Sequence, residues 1–179
     1  LVCGKLGNFN NFVNRKYLLS DVAFTRKGKL SLSSVIKFPL CNHKKTTSLE
    51  INRFLRTETK DRGVRISKQA GFGKKAIIDP QVYIDMNDDL VSVFMTKLDE
   101  MPSFKGLHVS AIDSSIIEIP NTKLHRDDFG IPEKTQTYKD TSVARISCTG
   151  LDAHWDFIIS SNLTSKNVDE ITNALIPFR

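Results

Sequence analysis

The chain has 179 residues, 40% of them hydrophobic and 26% charged, which fits a globular protein with one sizeable core or two small ones. Lys and Arg outnumber Asp and Glu by 26 to 20, and the pI near 9.3 favours a polyanionic partner. No apolar run reaches the roughly 20 residues of a membrane span and no signal peptide is read, which argues against a membrane partner. Three scattered cysteines, Cys3, Cys41 and Cys148, give neither a disulfide framework nor a metal spacing, so they read as reduced thiols of a cytoplasmic protein. Because residue 1 is Leu, the true start is expected elsewhere.

In chain order, residues 1–31 read as an irregular basic arm with one short helix. Lys5, Arg15, Lys16, Arg26, Lys27 and Lys29 lie there among Asn and Gly, around an apolar patch at Tyr17, Leu18 and Leu19. Leu32, Val35, Ile36 and Leu40 then share a helical face, interrupted by Pro39. Ile51, Phe54 and Leu55 mark a second helix, and a third runs from Ile66 toward Ile78, weakened by Gly71 and Gly73. The spacing thus predicts short helices over 32–41, 48–56 and 66–78. Asp79-Pro80 supplies an N-cap and a first-turn proline. The helix it opens carries Tyr83, Met86, Leu90, Val93, Phe94 and Leu98, and should stop near Met101-Pro102.

Beyond residue 100 the period changes. Leu107, Val109 and Ala111 alternate as in a strand, Asp113-Ser114-Ser115 is expected to break it, and Ile116 to Ile119 gives a second short strand. A polar loop with Phe129, Gly130 and Pro132 follows. Val143–Cys148 and His154–Ser160 read as an antiparallel hairpin turning at residues 149–153, and Val168, Ile171 and Leu175 mark a terminal helix. The expected architecture is α+β or α/β. A basic helical region, 1–100, precedes a strand-rich region, 101–179, that reads as the opening of an α/β domain.

Asp113 is the leading candidate for chemistry. A carboxylate at a strand end is a hard oxygen ligand for Mg²⁺ or Mn²⁺, and two such ions support phosphodiester chemistry. The competing reading is an Asp that caps a turn by accepting backbone amides. Ser67, Lys68 and Gln69 would open the third helix, where a recognition helix carries its base-reading residues, and Lys44, Lys45, Lys74 and Lys75 would pair with phosphates. The alternative is a solvated basic face. Gly71-Phe-Gly-Lys-Lys75 lacks the full phosphate-loop pattern, and the four histidines fall at no ligand spacing. Trp155, Phe157 and Ile159 read as one apolar strand face.

The stretch Phe104-Lys-Gly-Leu-His-Val-Ser-Ala-Ile-Asp113-Ser-Ser, then Ile119-Pro-Asn-Thr122, then Phe129-Gly130, resembles the first catalytic segment of DDE transposases of the bacterial insertion-sequence-4 group. Phe24-Thr-Arg-Lys-Gly-Lys29-Leu and Ile66-Ser-Lys-Gln-Ala70 resemble that family's N-terminal region. Ala144-Arg-Ile-Ser-Cys-Thr-Gly-Leu-Asp152, followed by Phe157-Ile-Ile, resembles its second and third core strands. The similarity runs in order over roughly residues 24–165. Ser114 departs from it, standing where the family usually has Gly, as do Gly71-Phe-Gly and Pro39.

The resemblance implies a ribonuclease-H-like catalytic domain, Mg²⁺ or Mn²⁺ held by a DDE triad, and strand cleavage and joining at transposon ends and target DNA, with oligomerisation on DNA. Only the first acidic position of the triad maps here, onto Asp113; the second Asp and the Glu are expected beyond Arg179. The expectation is therefore an N-terminal portion of a transposase, inactive alone, in a bacterial cytoplasm and associated with the nucleoid when bound to DNA. Arg26, Lys27, Lys29, Lys44, Lys45, Lys68, Gln69, Lys74 and Lys75 are its expected DNA contacts. The alternatives are a non-catalytic DNA-binding fragment that occupies transposon ends as an inhibitor, and an inert pseudogene product.

Overall fold

The computed structural model describes residues 9–26, 28–41, 46–59, 65–100, 103–130, 142–151, 157–169 and 172. The chain divides into two compact units, Leu1–Leu90 and Val91–Arg179.

The first unit is helical: α1 (Phe9–Phe12), α2 (Leu32–Lys37), α3 (Thr47–Thr59), α4 (Lys68–Lys75) and the start of α5 (Gln81–Met95). Ser31 caps α2 by accepting the Ser34 N–H at 3.1 Å. The helix expected over 32–41 is split: α2 ends at Lys37, and Pro39 falls in a 3-10 turn over Phe38–Cys41. Proline has no N–H to continue the ladder. Asp79 accepts the Gln81 N–H at 2.9 Å and opens α5, as its sequence predicts. α5 stops at Met95, and the tight turn Leu98–Glu100 follows.

Ile36, Leu55 and Val82 are fully buried, joined by Phe12, Tyr17, Val35 and Met86 in one core. The arm is less irregular than its composition predicts. Leu18 bridges Ile78, the Leu19 N–H donates to the Ile77 carbonyl at 2.8 Å, and the Asp79 N–H donates to the Tyr17 carbonyl at 2.8 Å. The Tyr17 hydroxyl donates to Asp85 Oδ2 at 2.6 Å. That bond above all, with a second from Gln81, holds the Asp85 carboxyl below its ordinary range.

The second unit holds β1 (Ser110–Ile119), α6 (Lys123–Phe129), β2 (Ser142–Leu151) and β3 (Phe157–Ser165). The strands form one antiparallel sheet in the order β1-β2-β3. The chain is thus mixed α and β. β1 runs unbroken opposite β2, from Ser110 against Leu151 to Ile119 against Ser142. This corrects the expected break at Asp113-Ser114-Ser115. Pairing with β2 holds the backbone extended there, and the Asp113 carboxylate accepts the adjoining Ser114 N–H without closing a turn.

The hairpin of β2 and β3 is present, with its register shifting between Thr149 and Gly150, where a turn had been expected. The loop expected around Phe129 holds α6, whose N-cap Thr122 accepts the His125 N–H at 3.2 Å. Its sequence, KLHRDDF, has no apolar period to announce a helix. α6 lies against β2 and β3, and the Ser165 hydroxyl donates to the Phe129 carbonyl at 2.8 Å. Most of the expected terminal helix lies outside the described residues, but Asp169 accepts the Thr172 N–H at 2.8 Å, as a helix start does. Among the described residues no helix is long and apolar enough to cross a membrane.

Candidate nucleic-acid interface and the Asp113 position

Charge is divided unequally between the units. Residues 1–90 hold 17 basic and 8 acidic side chains, a balance of +9; residues 91–179 hold 9 and 12, a balance of −3. The modest net charge of +6 therefore hides a strongly basic helical unit.

Within it, α4 is shown on the surface. Ser67 caps it by accepting the Ala70 N–H at 3.2 Å, which puts Lys68 and Gln69 at its first two positions, both exposed. Gly71 is the buried position of α4 and sets how closely it approaches α3: a Cβ there would lie 2.1 Å from Ile51 Cδ1. A glycine that weakens the isolated helix thus serves its packing.

The arm runs beside α4. Lys74 Nζ sits 4.6 Å from the centre of the Phe24 ring, a cation–π contact. Lys29 Nζ donates to the Arg65 carbonyl at 3.4 Å, two residues before Ser67. Arg26 lines a recess with Phe24 and Gly28, and Lys75 lines another with Phe72 and Tyr83. The structure so brings the arm segment bearing Arg26 and Lys29 to the helix bearing Lys68, Gln69, Lys74 and Lys75. Lys27, Lys44 and Lys45 lie outside the described residues.

The acidic neighbours engage other cations of the unit. Lys16 pairs with Asp85 at 3.5 Å and Lys37 with Glu58 at 3.3 Å. Among the described residues, Arg26, Lys29, Arg53, Arg56, Lys68, Lys74 and Lys75 form no ion pair. Sequence reading missed Arg53 and Arg56, which are scattered singly through the apolar pattern of α3. Their signal is the exposed face that this pattern leaves.

Asp113 lies in the interior of β1, not at a strand end, and is exposed. It stands opposite Cys148, itself opposite Ser161 on β3. Its Oδ1 accepts the N–H of the adjoining Ser114 at 2.8 Å. Ser114 points to the other face, where its hydroxyl accepts Arg145 Nη1–H at 2.7 Å. Ser114 thus holds an arginine of the central strand. A two-ion site needs several carboxylate oxygens around each metal. Among the described residues no three His, Cys, Asp or Glu side chains come together, so Asp113 and its described neighbours do not make such a site by themselves.

No protein-family model, curated protein or solved structure matches the chain.

Proposed function

We propose that the chain is related to the DDE transposases of the insertion-sequence-4 group and that its helical unit holds transposon-end DNA. The observation that carries this reading is the +9 balance of residues 1–90, coupled to an exposed α4 whose cations lack acidic partners among the described residues. Such a surface attracts the phosphate backbone by releasing condensed counterions. A helix that exposes Lys68 and Gln69 at its start suits entry into a major groove. The ordered resemblance over residues 24–165 supports the same reading: its three strand segments fall on β1, β2 and β3. In this proposal those strands open a ribonuclease-H-like sheet, and the protein works in the bacterial cytoplasm at the nucleoid. Fluorescence anisotropy with duplex DNA across a salt series tests it. Affinity should fall steeply as salt rises; binding indifferent to salt overturns it.

Among the described residues Asp113 gathers no metal-binding group of His, Cys, Asp or Glu side chains, and this favours a non-catalytic role: occupying DNA ends, where it would compete with an active transposase. With no further carboxylates gathered beside Asp113 among the described residues, we expect no nicking or strand transfer in Mg²⁺ or Mn²⁺. Metal-dependent cleavage that is lost in Asp113→Ala overturns this role and gives Asp113 a catalytic one. A cooperative melt followed by circular dichroism excludes an inert, poorly folded product.

A further inference from the structure

We infer that α3 and α4 divide DNA recognition between them, Arg53 and Arg56 gripping the phosphate backbone while Lys68 and Gln69 meet base edges; this rests on the DNA-binding reading above. α3 is two-sided. Glu50, Ile51, Phe54 and Leu55 are buried, and the outer face shows Arg53 and Arg56 beside a shallow recess of about 400 Å³. Residues three apart on a helix are neighbours, so the two guanidinium groups form one cationic ridge.

The acids of α3 flank that ridge on one side: Glu50 and Glu58 line a second recess with Arg53, and Arg56 stands outside it. Glu58 pairs with Lys37 and Glu50 is turned into the interior, 3% exposed. Guanidinium is the side-chain cation whose fork of donors matches phosphate oxygens.

The ridge is fixed relative to α4 by two contacts. Asn52, adjoining Arg53, donates from Nδ2 to the Ser48 carbonyl at 2.7 Å and accepts the Ile66 N–H on Oδ1 at 3.3 Å. Ile66 immediately precedes the Ser67 cap, so the lead-in to Lys68 and Gln69 is tied to the ridge. Gly71 against Ile51 sets the second contact, with α4 packed closely on α3. A helix on the backbone locked to a following helix whose first residues face the groove is a workable DNA-reading pair.

The test uses the whole chain, a mixed-sequence labelled duplex, and a duplex enriched by in-vitro selection on the wild-type protein. Dissociation constants are measured over a salt series. Arg53→Gln/Arg56→Gln should weaken binding to both duplexes by the same factor and reduce the slope of log affinity against log salt by about 2, close to one per arginine. Arg53→Lys/Arg56→Lys should keep most of the slope. Lys68→Gln/Gln69→Ala should instead weaken the selected duplex more than the mixed one. Circular dichroism melts matched to wild type establish that these exposed substitutions leave the fold intact. If wild type binds neither duplex, the DNA-binding reading fails and this inference with it. If wild type binds with a steep salt slope and Arg53→Gln/Arg56→Gln leaves slope and affinity unchanged, only the division of labour is overturned. A change in sequence preference without a change in slope overturns it too.

Discussion

The two units bury different material. In the helical unit the interior is made of large apolar side chains from segments distant in sequence: Tyr17 from the arm, Ile36 from α2, Leu55 from α3, Val82 and Met86 from α5. In the sheet unit the most buried described residues are small or hydroxylated: Ser142, Val143, Ala144, Ser147 and Thr149 of β2. Ile112 and Ile116 of β1, with Ile158 and Leu163 of β3, remain 40–50% exposed. The helical unit is thus held by apolar burial, and it is also where the unpaired positive charge collects. The described sheet depends more on its backbone ladder. The cations on the helical frame are held in a fixed pattern, and the excess of positive charge lies with them in the first unit.

The largest effect expected from this contrast is in the helical core. Leu55→Ala should cost roughly 3 kcal/mol, the usual range for a fully buried leucine, and should lower the thermal midpoint of the helical signal. If that midpoint does not move, the core is not where the stability of this unit lies. Next comes charge. Lys68→Glu/Lys75→Glu should weaken duplex binding at least tenfold, about 1.4 kcal/mol, whereas Lys123→Glu/Arg126→Glu on α6 should change it little. Equal losses from both pairs would count against placing the proposed DNA contacts in the helical unit.

A smaller effect probes the meeting of α3 and α4. Gly71→Ala alone gains up to about 1 kcal/mol of helix propensity but drives a methyl into the Ile51 side chain. Added Ile51→Val should open that space, so the double variant should be more stable than the two single changes predict. Additivity in denaturant titrations would count against the close approach.

pH acts in the same unit. The Asp85 carboxyl is held below its ordinary range, mainly by the Tyr17 hydroxyl, so folding binds fewer protons there than the unfolded chain does. Its contribution is complete above the unfolded carboxyl range, near 3.8, and is lost as pH falls through the lower folded value. Tyr17→Phe should flatten the acid side of the stability profile, and an unchanged profile would remove this bond from the account. Least of all, Ile112→Ala/Ile116→Ala on β1 should shift stability by less than about 0.5 kcal/mol per site, as exposed positions do. A large loss would show that these side chains are covered after all.

Much of the helical unit is legible in the residues. Asp79-Pro80 starts α5, Pro39 ends α2, and the apolar spacing of Ile51, Phe54 and Leu55 finds α3. What the sequence hides is whatever depends on a distant partner. Asp113-Ser114-Ser115 has the composition of a turn and becomes strand because β2 lies alongside. Gly71 looks like a flaw in a helix until Ile51 is seen against it. The cations of the arm and of α4 were legible as residue types, but the closeness of Lys74 to Phe24, fifty positions back, was not. Arg53 and Arg56 escaped notice because a cationic ridge on a helix is dispersed along the sequence.

The joining of Tyr17, Leu18 and Leu19 to residues 77–79 and to Asp85 also sets an order of events during synthesis. These pairings close a loop of some sixty residues, whose entropy must be lost before the contacts reward it. On the ribosome the arm cannot find its partners until α5 has begun to emerge. A released chain that ends before residue 77 would therefore show proteases an unprotected arm, while a released chain that ends past Met86 would shield it. The ridge on α3 and the head of α4 both lie inside that loop, so its closure joins the frame that carries them to the arm.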